Sequence, residues 1–327
     1  MKILVTGAFG GIGTEVMHEG HKKGHIMTAF EIDNKGNRKK AETFKNITEK
    51  IFWGDLRNYD DVKKAIYGQD IVIHLGAIVT PFSEKNPKVS DAVNIGGTKN
   101  IIDAVKFYGN KTGLIYTSSM SIMGADYSRK PPLKVTDPLI VSSNYTRQKI
   151  ECEKILEKED INYITLRLGA VINTDLAIGG GSVNQIFDEI FSMSLNNRIE
   201  GIWNIDAAAA IISAAEKLAD NSVNRKIFFI GGGSENGWQM TVRDLYKGIF
   251  GAVGFGLPKD SCFSKDPYYA DWLDTEESQK YFNYQNHSFE NFIKAIKKKI
   301  GIKRFIFIIF SPFIKSFMSH KSKYSKK

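Results

Sequence analysis

Tyr145 and Lys149 stand four residues apart in the stretch Tyr145-Thr-Arg-Gln-Lys149. On a helix, positions i and i+4 share a face, so the two side chains point the same way. A tyrosine moves protons near neutral pH only when its pKa is lowered. A lysine held as a cation one turn away favours the phenolate. Taken alone, such a pair is usually a solvated helix face. Here the stretch Tyr116-Thr-Ser-Ser-Met-Ser-Ile-Met-Gly124 lies upstream, after an apolar strand. Strand ends in parallel sheets face the ligand crevice. A serine hydroxyl there can hold a substrate oxygen while Tyr145 moves its proton. Ser119 is the first candidate and Ser118 the second, with a backbone-capping hydroxyl as the alternative for either.

The chain opens on MKILVTGAFGGIG. Lys2 to Val5 suits a buried parallel strand, and Gly7, Gly10 and Gly13 follow at spacing G-x-x-G-x-x-G. One glycine permits the tight turn, one lets the backbone approach a pyrophosphate, and one lets the next helix pack on the strand. The helix starting near Gly11, with Ile12 and Gly13 in its first turn, offers free N–H groups and a positive dipole end to phosphates. A second strand, Ile26 to Phe30, ends at Glu31, with Asp33 close behind. An acidic side chain about twenty residues after the glycines can hold the adenosine ribose hydroxyls, and Glu31 has the better position. Lys35, Arg38, Lys39 and Lys40 follow and could instead meet a 2′-phosphate. The expected cofactor is therefore NAD, with NADP as the alternative.

The elements that must position these residues alternate. Strands are expected at Lys50 to Trp53, Asp70 to Leu75, Gly113 to Ser118, Tyr163 to Leu168 and Lys226 to Ile230. Helices are expected at Asn58 to Tyr67, Ser90 to Phe107, Ser142 to Lys158, Ile205 to Leu218 and Thr241 to Phe250. Continuous apolar strands such as DIVIHL fit a sheet covered on both faces. The fold class is α/β, a Rossmann-type doubly wound parallel sheet with a smaller C-terminal substrate lobe. Residues 1–170 form the dinucleotide-binding core, residues 171–300 a substrate lobe that shares the end of the core, and residues 301–327 a tail. After Gly169 the pattern loosens. Ala177 to Asn184, AIGGGSVN, reads as a mobile loop. Two short helices, near Glu276 and at Phe289 to Lys299, precede the tail.

Six stretches match the extended short-chain dehydrogenase/reductases of the NAD-dependent epimerase/dehydratase type, in that family's order. They are Thr6 to Gly13, Gly54-Asp55-Leu56, Val72 to Ala77, Asn94 to Thr98, Thr117-Ser118-Ser119 with Tyr145 and Lys149, and Leu166-Arg167-Leu168. The chain resembles that family from residue 1 to about residue 300. The resemblance implies that Gly7, Gly10 and Gly13 hold the pyrophosphate and Glu31 the ribose. It places Asp55 and Leu56 by the adenine, and Gly76 and Ala77 along the cleft. It gives catalysis to Tyr145, Lys149 and Ser119, supported by Asn94, and implies a homodimer through the helices of Asn94 and Tyr145. Three departures matter. Dehydratases of the family carry Asp and Glu where this chain has Met120 and Ser121, so dehydration is not expected. Met123 replaces a tyrosine frequent before the glycine, and Leu168-Gly169 replaces a common proline after the strand arginine.

The implied activity is hydride transfer at a small-molecule alcohol or ketone. One substrate class is a nucleotide sugar, as in an epimerase. The other is an apolar, membrane-derived alcohol, as in a hydroxysteroid dehydrogenase or carbonyl reductase. A cofactor-sensing protein without turnover would not need Tyr145, Lys149 and the serines. Diphosphate recognition would require cations, and Arg198, Arg225 and Arg243 are the available arginines. Phe255, Phe263, Tyr268, Tyr269 and Trp272 could stack on a base or sugar, or pack the lobe.

Charge and cysteines bound the remaining classes. The net charge is +9, but eleven Lys/Arg and no Asp/Glu lie between Lys294 and Lys327, so the body is close to neutral. The basic balance belongs to the tail and does not indicate nucleic-acid binding. Cys152 and Cys262 are far apart, which excludes a disulfide scaffold and a cysteine metal site and fits a reducing, cytoplasmic compartment. The N-terminal apolar run is too short for a signal peptide. In the tail, Phe305 to Phe310 is apolar but far short of the ~20 residues that span a bilayer. Flanking lysines suit the surface of an anionic membrane, at its inner face; docking on the body is the alternative.

Overall fold

The computed structural model describes residues 1–109, 111–177 and 183–325. In chain order the first half contains β1 (Lys2–Thr6), α1 (Gly11–Lys22), β2 (Ile26–Glu31), α2 (Lys35–Ala41), β3 (Lys50–Trp53), α3 (Tyr59–Ile66), β4 (Ile71–His74), α4 (Phe82–Lys85), α5 (Pro87–Asp91), α6 (Gly97–Phe107), β5 (Gly113–Ser119) and α7 (Asn144–Lys158). The second half contains β6 (Tyr163–Leu168), β7 (Ala170–Ile172), α8 (Thr174–Ala177), α9 (Val183–Ser192), β8 (Arg198–Trp203), α10 (Asn204–Ala219), β9 (Lys226–Ile230), β10 (Gln239–Thr241), α11 (Val242–Val253), α12 (Glu276–Phe282), α13 (Phe289–Ile300), α14 (Lys303–Ile309) and α15 (Ser311–Lys321).

Seven strands pair in the order β3-β2-β1-β4-β5-β6-β9, and every pairing is parallel. Alternate strand residues point to opposite faces. Ile3 and Val5 therefore join a core under α1 and α10, while Leu4 joins one under α3, α6 and α7. Both faces are covered, which is why these strands read as continuous apolar runs. Ala207, Ala208, Ala210, Ala214 and Ala215 of α10 are fully buried and let it lie close to α1. At Gly20 of α1 a β-carbon would come 2.4 Å from Met27 Sδ, so any larger residue would have to displace the end of the Met27 side chain.

The structure departs from the expected elements mainly in the lobe. A small sheet, β10-β8-β7, appears where no strand was expected. Its central strand hid because Glu200 interrupts the apolar pattern. The Glu200 carboxylate is fully buried and accepts hydrogen bonds from Gly233 N, Gln239 Nε2 and Leu273 N. Burial pushes its pKa up to about 7. The helix expected over Ser90 to Phe107 starts at Pro87 and carries a π turn at Ala92–Gly96. Of the glycine-rich loop, residues 178–182 lie outside the described residues, between α8 and α9. The tail forms two helices.

One buried ion pair locks α7 to the sheet. Arg167 and Glu153 are 3% and 2% exposed and meet at 2.7 Å, and Arg167 Nη1 also donates to Val135 O at 2.7 Å. Removing one partner strands a buried charge, which costs about 3–5 kcal/mol. Arg167→Met should lower the unfolding free energy by that amount in urea titration. A loss below ~1 kcal/mol, the level of an exposed pair, would show that the pair contributes little.

Candidate active site

The glycine turn is built by close approach. Gly7 has φ +70°, and a β-carbon there would lie 2.8 Å from Gly76 N. At Gly13 it would lie 2.2 Å from Gly7 O, so α1 starts pressed against the turn. Gly10 caps this 12-residue helix without a side-chain hydrogen bond. Gly10, Gly11, Ile12 and Gly13 line a cavity of about 250 Å³. A neighbouring cavity of about 520 Å³ shares Gly7, Gly10, Leu75 and Ala77 with it and runs past Glu31, Asp55, Leu56 and Gly76. Glu31 accepts from Phe9 N at 2.8 Å and from Asn37 Nδ2 at 3.1 Å. Burial raises its pKa, opposed by the backbone N–H groups of Phe9 and Ile32 and by the charge of Lys40. Asp55 is held by Arg57, which keeps its carboxyl below the usual range.

At the other end, Tyr145, Lys149, Thr117 and Ser118 line the smaller cavity. Lys149 Nζ donates to Thr117 O at 2.7 Å and sits 5.8 Å from the Tyr145 ring centre. Burial lowers the Lys149 pKa to about 8. The Tyr145 phenol is pushed up to about 12 by burial, and its hydrogen bond to the Ser119 hydroxyl opposes the rise. This reverses the expected depression of the phenol: the shared helix face is present, but the ammonium is turned to the Thr117 carbonyl and desolvation dominates. Ser119 Oγ also meets Ser121 Oγ at 2.9 Å and accepts from Ser121 N. Ser118 Oγ is buried with no hydrogen-bond partner among the described residues.

Asn94 lies on the π turn, the kind of local bulge that helices use at functional positions. Its Oδ1 accepts from Ile78 N at 2.7 Å, and its Nδ2 donates to Ile78 O and to Gln148 Oε1. Asn94 thus ties the loop after β4 to α7 and makes no hydrogen bond to Tyr145 or Ser119 itself. Gln148 donates in turn to Ser90 Oγ and Asp91 Oδ1. Gln148, fully buried between Tyr145 and Lys149, was not among the expected site residues, because its burial shows only in the structure. Asn37, which holds Glu31, was not expected either; Lys40, expected as a possible partner of a 2′-phosphate, instead donates its Nζ to Phe9 O at 2.7 Å.

A third cavity, about 350 Å³, opens beyond Ser119, Ser121 and Tyr145. Its far walls are apolar: Ile190, Met193, Ile199, Leu245, Ile249 and Phe250. None of the three candidate arginines lines it. Arg198 forms a two-pronged pair with Asp271 and Arg243 one with Asp260. Arg225 donates to the carbonyls of Glu157 and Glu159 at the opposite end of β6. Tyr268 and Tyr269 do line the cavity, stacked at 4.2 Å. Phe255 packs on Phe250, Phe263 is buried in the lobe core, and Trp272 Nε1 donates to Met240 O.

The residues fit a dinucleotide. Free helix N–H groups face the cavity at the glycines, a carboxylate stands at one end, and an unpartnered buried hydroxyl stands at the other. No group of His, Cys, Asp or Glu able to hold a metal occurs among the described residues.

Residues 4–174 match the 3-beta hydroxysteroid dehydrogenase/isomerase family. CDP-paratose 2-epimerase from Salmonella typhi is 30% identical over 129 residues, 38% of each chain. Yeast sterol-4-alpha-carboxylate 3-dehydrogenase, decarboxylating, is 27% identical over 223 residues, 63% of this chain and 62% of the enzyme. The chain spans less than half the length of the first curated relatives it matches. Among solved structures, UDP-glucose 4-epimerase from Thermotoga maritima superposes with a TM-score of 0.74 at 21% identity, over 91% of this chain and 98% of the other. The fold, the glycine turn and the match over more than half of the chain agree: the protein belongs to the 3-beta hydroxysteroid dehydrogenase/isomerase family, and with it to the extended short-chain dehydrogenase/reductases of the epimerase/dehydratase type.

Proposed function

We propose that the protein is an NAD-dependent oxidoreductase or epimerase that acts on a hydroxyl-bearing carbon of a nucleotide sugar. One observation carries the reading: Tyr145 stands in the wall shared by the cofactor-end cavity and the substrate cavity. A proton donor at that junction can reach a substrate oxygen while the carbon beside it faces the cofactor. NAD, when bound, supplies the hydride acceptor and, for an epimerisation, the donor that returns it. Tyr145 exchanges the proton of the substrate hydroxyl. Ser119 holds the same oxygen by a hydrogen bond, and Lys149 holds the strand end through Thr117 and the cofactor ribose. Asn94 positions the loop that borders the cleft. Glu31 favours NAD over NADP, since its carboxylate would face a 2′-phosphate, and Arg38 is already paired with Asp33. Met120 and Ser121 leave no acid–base pair for dehydration.

The nucleotide-sugar reading is supported by relatives named CDP-paratose 2-epimerase and UDP-glucose 4-epimerase. A second reading, an apolar alcohol, is favoured by the cavity walls, which carry no charged side chain among their lining residues. We assign cofactor binding to residues 1–170 and substrate binding mainly to 171–300. We place the enzyme in the cytoplasm, as a homodimer joined through the helices of Asn94 and Tyr145; light scattering of the purified protein tests that state.

Tyr145→Phe should cut turnover by roughly 10²–10⁴-fold while NAD binding persists; unchanged turnover would refute the assignment. The substrate class is tested by offering nucleotide sugars and apolar alcohols to the purified enzyme. Product formation from a nucleotide sugar without accumulation of NADH identifies an epimerase, and NADH accumulation with an apolar alcohol identifies the second reading. NAD affinity should fall as pH rises through about 8, where the buried Lys149 ammonium loses its proton. In a fluorescence titration, Lys149→Met should bind more weakly at pH 7 and lose that pH dependence. A wild-type affinity that stays flat through this range would remove the charged lysine from cofactor binding.

A further inference from the structure

The two tail helices are docked on the body by one face only. On the inner side Phe307, Ile314 and Met318 join the core of the lobe. Arg304 donates to the carbonyls of Ala252 and Gly251, Ser311 Oγ to Phe255 O and Ser322 Oγ to Cys262 O. On the outer side Ile302, Phe305, Ile309, Phe310 and Phe313 are each more than half exposed. Their spacing of three and four residues sets them along one side of each helix. Isolated apolar side chains on a surface need no explanation, but a contiguous patch of this kind marks an interaction site.

The charges around the patch select the partner. Lys303, Lys315, Lys321 and Lys323 flank it, and no acidic residue occurs from Lys294 onward. A second copy would bring two such basic tails together, so charge disfavours self-pairing through this face. An anionic lipid surface satisfies both properties: the aromatic and aliphatic side chains enter the headgroup–acyl boundary and the lysines meet lipid charge. No helix among the described residues is long and apolar enough to cross a membrane, so the pair would lie along the surface.

The platform also borders the site. Phe317 of α15 meets Phe187 of α9 with ring centres 6.1 Å apart. Close contacts also join α14 to α11. Helix α9 provides Ile190, the residue after it Met193, and α11 provides Leu245 and Ile249 to the substrate cavity. We propose that α14 and α15 form an interfacial anchor for anionic bilayers, holding the substrate cavity one helix layer from the membrane. The anchor is independent of the reaction assigned to Tyr145.

The test is co-sedimentation of the full chain with vesicles of phosphatidylcholine alone and of phosphatidylcholine mixed equally with phosphatidylglycerol. Binding is expected to the mixed vesicles only and should weaken as salt is raised. The double variant Phe305→Glu/Phe313→Glu, altered on the outer face alone, should lose binding while keeping NAD affinity and thermal unfolding unchanged. Lys315→Glu/Lys321→Glu should weaken binding at least ~10-fold. Failure of the wild type to sediment with mixed vesicles would overturn the proposal, as would undiminished binding by the phenylalanine variant. A self-association that this variant abolishes, with no vesicle binding by the wild type, would assign the face to a second copy instead. Retained NAD binding in any of these cases leaves the catalytic reading to its own tests.

Discussion

Gly7, Gly13 and Gly76 approach their neighbours so closely that a β-carbon on any of them would overlap: 2.8 Å from Gly76 N, 2.2 Å from Gly7 O and 2.9 Å from Leu56 Cδ1 respectively. This contact presses the start of α1 against the ends of β1 and β4 and leaves its free N–H groups facing the cleft. Hydrogen bonds carry the constraint outward. Thr6 Oγ1 accepts from Gly76 N and meets His74 Nδ1, and the other ring nitrogen of His74 meets Thr98 Oγ1. Burial lowers the His74 pKa to about 3, so the imidazole is neutral and bridges two hydroxyls without a charge to compensate. Thr98 bonds back to Asn94 O, and Asn94 reaches Gln148 on the helix of Tyr145. Each buried link left without its partner would cost about 1–3 kcal/mol. The glycine turn and the helix of Tyr145 are thereby held in one frame.

Within that frame, burial outweighs charge. A cation a few ångströms from a phenol favours the phenolate, and that effect underlies the expected depression of the Tyr145 pKa. The structure puts the Lys149 ammonium on the Thr117 carbonyl, and desolvation acts on both groups at once, raising the phenol and lowering the ammonium. At neutral pH the phenol therefore holds its proton and the lysine still holds its own. In the proposed reaction a phenol in this state would give its proton to the substrate oxygen. Taking one requires further positive charge near the phenol, which an oxidised nicotinamide would bring.

What was legible in the sequence follows the same physics. The central strands β1 and β4 are buried on both faces, so they stand out as apolar runs, and Glu31, Ser119, Tyr145 and Lys149 sit at strand ends or on a helix face that spacing helps to locate. The lobe was opaque because its central strand carries Glu200, a carboxylate made tolerable by three donors, two of them backbone N–H groups from Gly233 and Leu273 that no local pattern reveals. The arginines misled for a related reason. Arg198 and Arg243 had the chemistry for phosphate, but their carboxylate partners lie 73 and 17 residues away in the chain. A cation's availability is a property of the tertiary structure.

The tail shows how a sequence ambiguity can be a real duality. An apolar run from Phe305 to Phe310 was compatible with docking on the body or with a membrane surface. A helix turns about 100° per residue, so consecutive apolar residues wrap its whole circumference. The body can cover only one side, and it takes Phe307, then Ile314 and Met318 beyond the run. Phe305, Ile309 and Phe310 are left outside by geometry. A helix meant only to dock needs an apolar stripe, with polar residues opposite. Apolar residues beyond that stripe gain nothing from the lobe core, so the excess argues for a second contact surface in its own right.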